Sequence, residues 1–252
     1  MTREQLLSCA LDIGEGMLKS GAEVERVETA IRYICQAYGC LRADVFTITS
    51  SIVVSITDAE GLHSTQTRRI TATQTNLTRL HKLNSFSRDI CKTKPEYAFI
   101  CEKLQEIQSE KAYPLWLEAL GSALIGFAFA IFFGGNWLDG LVAGGLGLGL
   151  RFLTWLLHKG SLNQIFVNVV ASFLLSLSAI CLTRLGLGHD ANKIIIGNIM
   201  LLIPGIALTN SLRDMISGDI MTGLLRFLDA ILVAAAIAAG YILAVQVLGG
   251  VL

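Results

Sequence analysis

The residues of this 252-residue sequence that could act on a small molecule lie mostly inside long apolar runs. The fullest such stretch is Gly197-Asn198-Ile199-Met200-Leu201-Leu202-Ile203-Pro204-Gly205-Ile206-Ala207-Leu208-Thr209-Asn210-Ser211-Leu212-Arg213-Asp214. Pro204 has no N–H to donate to residue 200, its ring clashes there, and Gly205 loosens the next turn. A Pro-Gly step at mid-membrane therefore predicts a kink or break, and backbone groups freed at that depth must face protein or water. Transporters place broken helices of this kind at their substrate sites. Asn198 flanks the break on one side and Thr209, Asn210 and Ser211 on the other; a passive kink is the competing reading. Arg151, Asn168, Ser172, Arg226 and Asp229 also fall within or at the ends of apolar runs, toward one side. Ionisable groups there are costly unless paired or hydrated, so each is a candidate for the substrate pathway. For Arg226 and Asp229 the competing reading is an i,i+3 ion pair at the interface. Glu118 reads as a side chain reaching the headgroups.

Chemistry of other kinds finds little support. Ser50-Ser51, His63, Ser64 and His81 sit in a Ser/Thr-dense region, but there is no G-x-S-x-G elbow, no P-loop and no GxGxxG. Such residues more often face solvent along a hairpin, so a hydrolase is the minor reading and no catalytic residue is assigned. The six cysteines include one close pair, Cys35-x4-Cys40, with no histidine at ligand spacing, and read as reduced packing thiols rather than a metal site. No metal or cofactor is expected. Net charge is zero and no Lys/Arg stripe suggests nucleic acid.

The elements that would hold these residues follow from composition. Charged residues make up 16% and hydrophobic residues 53%, with mean hydropathy +0.59, against about 25% charged in soluble domains. Up to Pro114 there are 14 Lys/Arg, 14 Asp/Glu and 5 glycines; the remaining 138 residues carry 6, 6 and 19. The fold class expected is a membrane α-helical protein with five transmembrane helices, preceded by a small cytosolic α+β domain. The domain covers 1–113 and the membrane part 114–252, with spans at about 115–133, 138–157, 162–183, 194–212 and 224–248. Each span holds about 19–25 residues, or roughly 28–38 Å, enough for the hydrocarbon core. Trp116, Trp137 and Trp155 fall near span ends, as an aromatic belt requires. Met1-Thr2-Arg3-Glu4-Gln5 has no apolar h-region, so no secretory signal peptide is expected. With the loop basic residues Lys159 and Arg213, this places the N-terminus in the cytosol and the C-terminus outside; Arg184 and Lys193 argue against the pattern. Gly140, Gly144, Gly145, Gly147 and Gly149 allow close helix approach in the second span, and simple bundle packing is favoured over a mobile, substrate-lining helix. In the polar part, apolar spacing predicts helices over residues 4–19, 23–38 and 76–91 and another after Pro95. Val45–Ile48, Ile52–Thr57 and His63–Ile70 read as strands around an Asp58–Gly61 turn.

Several motifs then come together: Gly14…Ser20-Gly21-Ala22…Val27-Glu28, Asn76-Leu77-x-Arg79-Leu80…Asn84, Tyr113-Pro114-x-Trp116, Phe132-Phe133-Gly134-Gly135, and Gly197-Asn198 through Pro204-Gly205 and Asp214 to Ser217-Gly218-Asp219. In this order they resemble the threonine/serine exporter family in its split, YjjP-type form, over nearly the whole chain. The resemblance implies a bacterial inner-membrane exporter of small carboxylate metabolites. Split members are associated with succinate, fused members with threonine and serine. It also implies a second, YjjB-type membrane subunit of about 150 residues, besides the lipid bilayer and a possible homo-oligomer. Arg151, Arg213 and Arg226 would suit a dianion, because guanidinium pairs bidentately with carboxylate. Two other classes compete: a membrane-anchored enzyme, which needs one anchor and no polar residues at depth, and a regulatory or assembly subunit that lines no pathway.

Overall fold

A computed structural model describes residues 1–110, 113–160 and 162–248. The chain forms two compact units, each built from two separate stretches: Met1–Lys111 with Ile206–Leu228, and Ala112–Gly205 with Asp229–Leu252. Composition places a boundary near residue 113; packing adds Ile206–Leu228 to the first unit.

The first unit begins with α1 (Arg3–Lys19) and α2 (Val24–Ala37). Thr2 opens α1 through a capping box, its hydroxyl accepting from the Gln5 N–H while the Gln5 side chain accepts from the Thr2 N–H. Gly21, at φ 94°, ends α1 with Gly21 N–H to Leu18 O at 3.1 Å and Ala22 N–H to Met17 O at 3.0 Å. That is a Schellman turn, which needs the left-handed residue that glycine supplies. A short antiparallel sheet follows, β1 (Arg42–Ile48), β2 (Ser51–Thr57) and β3 (His63–Arg69), ordered β1-β2-β3, with Val45 opposite Val54 and Val54 opposite Gln66. Ile52, Val54 and Ile56 alternate inward on β2 and are fully buried. Helices α3 (Leu77–Thr93), capped by the Asn76 side chain, and α4 (Tyr97–Gln108) complete the core around Leu7, Leu11, Ile13, Ile31, Leu83 and Ile100.

The second unit holds α5 (Leu115–Phe132), α6 (Trp137–His158), α7 (Gln164–Arg184) and α8 (Ala191–Ile199). Then come α9 (Gly205–Ile216), in the first unit apart from its opening glycine, and α10 (Ile220–Val247), which starts in the first unit and ends in the second. Among the described residues four helices are long and apolar enough to cross a membrane: α5, α6, α7 and α10. The expected fourth span, about 194–212, is not one helix. Its parts, α8 with 9 residues and α9 with 12, are about 14 and 18 Å long, each short of the roughly 30 Å core. Pro204 is the physical reason, since it can neither donate nor fit in a continuing helix.

Small residues set the spacing of the second unit. A Cβ on Gly147 would lie 2.6 Å from Ser122 O, one on Gly126 2.8 Å from Ala143 O, and one on Gly197 2.7 Å from Ala130 N. Helices α5, α6 and α8 therefore meet backbone to backbone. Of the five α6 glycines, Gly140, Gly144 and Gly147 face α5, whereas nothing lies within 4 Å of a Cβ on Gly145 or Gly149.

Candidate functional site

The break is built stepwise. As α8 ends, Leu201 N–H bonds Asn198 O at 3.0 Å and Leu202 N–H bonds Ile199 O at 2.8 Å, the tighter i to i−3 pattern of a 3₁₀ turn. Ile203 N–H reaches Ile199 O at 3.1 Å, Pro204 follows without a donor, and Gly205 N–H turns back to Ile203 O at 2.9 Å. The sequence thus produces the predicted interruption, and it spans residues 200–204 rather than one kinked turn.

Beyond the break, α9 and the start of α10 present polar side chains to the turn between α1 and α2. The Schellman exit of α1 leaves the Gly21 and Ala22 carbonyls available. Asn210 Nδ2 donates to Gly21 O at 3.0 Å and Arg226 Nη2 donates to Ala22 O at 2.9 Å. Glu23, the residue before α2, makes no capping bond of its own, and Val24 N–H donates instead to Asp214 Oδ1 at 3.2 Å. Asp214 Oδ2 pairs with Arg226 Nη1 at 3.0 Å, with side-chain exposures of 1% and 13%. A carboxylate at a helix N-terminus also complements the partial positive charge of the unpaired N–H groups. Arg213 Nη1 bonds Glu23 Oε1 at 2.7 Å, and Thr222 Oγ1 donates to Thr47 O at 3.5 Å. Asn210, Asp214 and Arg226 are therefore brought together. Thr209 is exposed on α9, and Asp229 is exposed on α10. The competing reading of an Arg226–Asp229 pair gives way to Arg226–Asp214, because Asp214 is buried and needs the guanidinium.

In the second unit the predicted residues form separate contacts. Arg151 pairs with Glu118, with Nε to Oε2 at 3.0 Å and a second contact through Nη2. Two charges on neighbouring α5 and α6 thus compensate each other, and Glu118 is an ion-pair partner rather than a headgroup anchor. Asn168 Oδ1 accepts from Gln164 Nε2 at 3.2 Å, and Gln164 Oε1 lies 2.8 Å from His158 Nε2, a short polar chain at the α6–α7 corner. Ser172 Oγ donates to Ile237 O at 2.7 Å where α7 crosses α10, beside Gly240. Asn198 is fully buried, its Nδ2 bonded to Ile194 O at 3.1 Å. Its Oδ1 has no hydrogen-bond partner among the described residues and points at the Gly126–Gly147 contact, 2.8 and 3.2 Å from the positions a Cβ would take there. A buried acceptor without a donor is costly, and such groups ask for a functional account.

Two carboxylates outside the spanning helices are perturbed. Burial pushes the Glu28 carboxyl up from its ordinary value, opposed by the Thr47 N–H it accepts at 2.9 Å and reinforced by the Asp219 carboxylate. Burial likewise pushes Asp214 up, with Arg226 and Val24 N–H pulling the other way.

Sequence reasoning missed Asp139. Its carboxylate is 2% exposed and accepts from the backbone N–H groups of Asn136 at 3.0 Å, His189 at 2.7 Å and Asp190 at 3.2 Å, joining the loops before α6 and before α8. The signal was present: Asn136-x-x-Asp139 before an apolar run is a capping-box pattern.

Four long apolar helices among the described residues, with an interrupted segment between α7 and α10 in the sequence, have the form of a multi-pass membrane protein. The model of the family described as "Putative threonine/serine exporter" matches residues 8–248. The chain belongs to that family, whose members are transporters, not enzymes. It is 29% identical over 250 residues to the "Threonine/serine exporter" of Corynebacterium glutamicum, covering 96% of this chain and 51% of that protein. It is 25% identical over 244 residues to the "Probable threonine/serine exporter" of Mycobacterium tuberculosis, covering 96% and 46%. With the "Probable succinate transporter subunit YjjP" of Escherichia coli it shares 24% identity over 243 residues, covering 95% and 93%. The chain thus spans about half the length of the first two relatives. No solved structure matches it.

Proposed function

We propose that this membrane exporter is one subunit of an inner-membrane system for small carboxylate metabolites, with a dicarboxylate such as succinate as the favoured substrate. The interruption between α8 and α9 carries the reading: residues 200–204 leave the helical pattern next to the buried, unpartnered Asn198 oxygen. A second membrane subunit of about 150 residues would close the pathway, as paired repeats do around a midplane site. The matched lengths support this, since the chain accounts for 93% of the relative named as a subunit and 51% of the fused-length exporter. Pro204, Gly205, Asn198, Thr209 and Asn210 would border the pathway, with Asn168, Ser172 and Asp229 along it. Arg151, Asp214 and Arg226, each already in an ion pair, would gate or shape it rather than meet substrate as free charges. The N-terminus lies in the cytosol and the C-terminus outside, with the interrupted α8–α9 segment, up to about residue 212, as the fourth of five passes.

The 29% identity to a threonine/serine exporter favours a second reading, with those amino acids as substrates. Counterflow of labelled succinate and threonine into vesicles separates the two. Succinate exchange that needs both this chain and its partner supports the proposal. Threonine exchange alone selects the second reading, and full activity from this chain by itself refutes the partner. A C-terminal periplasmic reporter should be active; a cytosolic signal there would overturn the five-pass topology.

A further inference from the structure

The first unit holds an open groove of about 810 Å³ between α2 and α3, with Arg213 of α9 also in its lining. Its size falls within the range of small-molecule sites. Apart from Arg213, set above beside Arg151 and Arg226 as suiting a dianion, none of the residues weighed for the transport pathway lines it.

Charge in the groove is unbalanced. Four cations line it, Arg26, Arg88, Lys92 and Arg213, against the two carboxylates Glu23 and Glu25. Glu23 is already engaged, bridging Arg26 at 2.9 Å and Arg213 at 2.7 Å. Arg88 and Lys92 stand one turn apart on α3, and neither has an ion-pair or hydrogen-bond partner among the described residues. Like charges at i,i+4 repel, and an anion between them would relieve that. Lys92 also suits the last turn of α3 through the helix dipole, but Arg88, a turn earlier, has no such reason to be there.

The rest of the lining is not that of a simple anion site. Tyr33 is in the lining and is 61% exposed, a large aromatic face with no ring stacked on it among the described residues. Asn84 and Gln36 offer amide donors and acceptors on the two opposing helices. A four-carbon dicarboxylate would satisfy the cations and leave the aromatic wall and both amides to water. A flat, hydrogen-bonding ring carrying a doubly charged group would use all three.

We propose that this groove binds a nucleoside monophosphate, its phosphate held by Arg88 and Lys92 and its base against Tyr33. Planar guanidinium and ammonium groups recognise phosphate, and an exposed aromatic face takes a base by stacking. The position gives the site a consequence. A phosphate reaching Arg213 or Arg26 competes with Glu23, the residue preceding Val24, whose N–H Asp214 caps. Ligand in the groove therefore acts on the same turn that anchors α9.

The test uses the full chain, purified in lipid nanodiscs, with AMP as probe and inorganic phosphate and succinate as comparators. AMP should bind saturably and at least roughly tenfold more tightly than either comparator. Arg88→Gln with Lys92→Gln should weaken it by roughly tenfold or more, and Tyr33→Ser alone should also weaken it. AMP should slow alkylation of Cys91, which lines the groove, and leave Cys40, which does not, unchanged. Absence of saturable AMP binding, AMP affinity unmoved by the double substitution, or succinate binding as tight as AMP would each overturn the proposal. None of these readouts depends on transport.

Discussion

Replacing Asp214 by alanine should loosen the hold of α9 on the α1–α2 turn, and the size of the effect can be worked from the contacts. The substitution removes the acceptor of Val24 N–H and the counter-charge of Arg226, whose side chain is 13% exposed. Breaking a buried ion pair from one side costs about 3–5 kcal/mol, because the remaining charge is left uncompensated. Arg226 keeps its bond to Ala22 O and some access to water, which places the expected loss near the lower end, about 3 kcal/mol. At about 1.4 kcal/mol per factor of ten, amides over residues 22–28 and 206–216 should exchange roughly a hundredfold faster where exchange follows local opening. Asp214→Asn keeps an acceptor for Val24 and should cost about half as much. Hydrogen exchange read by mass spectrometry on the full chain in nanodiscs gives the numbers. A cycle with Arg226→Met should show coupling of at least about 1 kcal/mol. Exchange within threefold of the parent for Asp214→Ala, or strict additivity in the cycle, would refute the account of this turn.

Other expectations concern packing, the break and pH. Gly147→Ala should cost about 1–3 kcal/mol, since its Cβ would lie 2.6 Å from a backbone oxygen, whereas Gly149→Ala should be silent in a thermal melt of the chain alone. Pro204→Ala restores a donor at the interruption and should insert normally while slowing counterflow; unchanged transport would make the break a passive kink. Glu28, with its folded pKa raised, holds its proton to higher pH than in the unfolded chain. Stability of the first unit should therefore fall as pH rises from the ordinary carboxylate value through the raised one, and Glu28→Gln should flatten that dependence as read by exchange at the Thr47 amide.

The legible parts of this molecule were those where local chemistry decides. Gly21 and Gly39 stop helices where expected, both at positive φ, and β2 alternates as Ile52, Val54 and Ile56 require. The break at Pro204 followed from the missing donor. Partners that are distant in sequence were not legible. Asn210, Asp214 and Arg226 were read as pathway candidates because they lie in or near apolar runs, and nothing in that reading pointed to the turn 189 to 204 residues earlier to which they also bond. Nothing in α9 announces that the α1 exit has left two carbonyls to be filled. Arg151 and Glu118 were each noticed, but they lie 33 residues apart on successive helices, and only the packing of α5 against α6 makes them a pair.

The interleaving of the two units also imposes an order of events during synthesis. The first 111 residues leave the ribosome with Val24 N–H and the Gly21 and Ala22 carbonyls uncovered, and the groups that cover them arrive only with residues 206–228. At about 5–20 residues per second, that is a wait of roughly 5–20 s, during which the intervening helices must be handed to the membrane. A nascent chain stalled in that interval would offer chaperones and proteases an open turn. A fragment cut at residue 113 would carry the same exposed turn permanently.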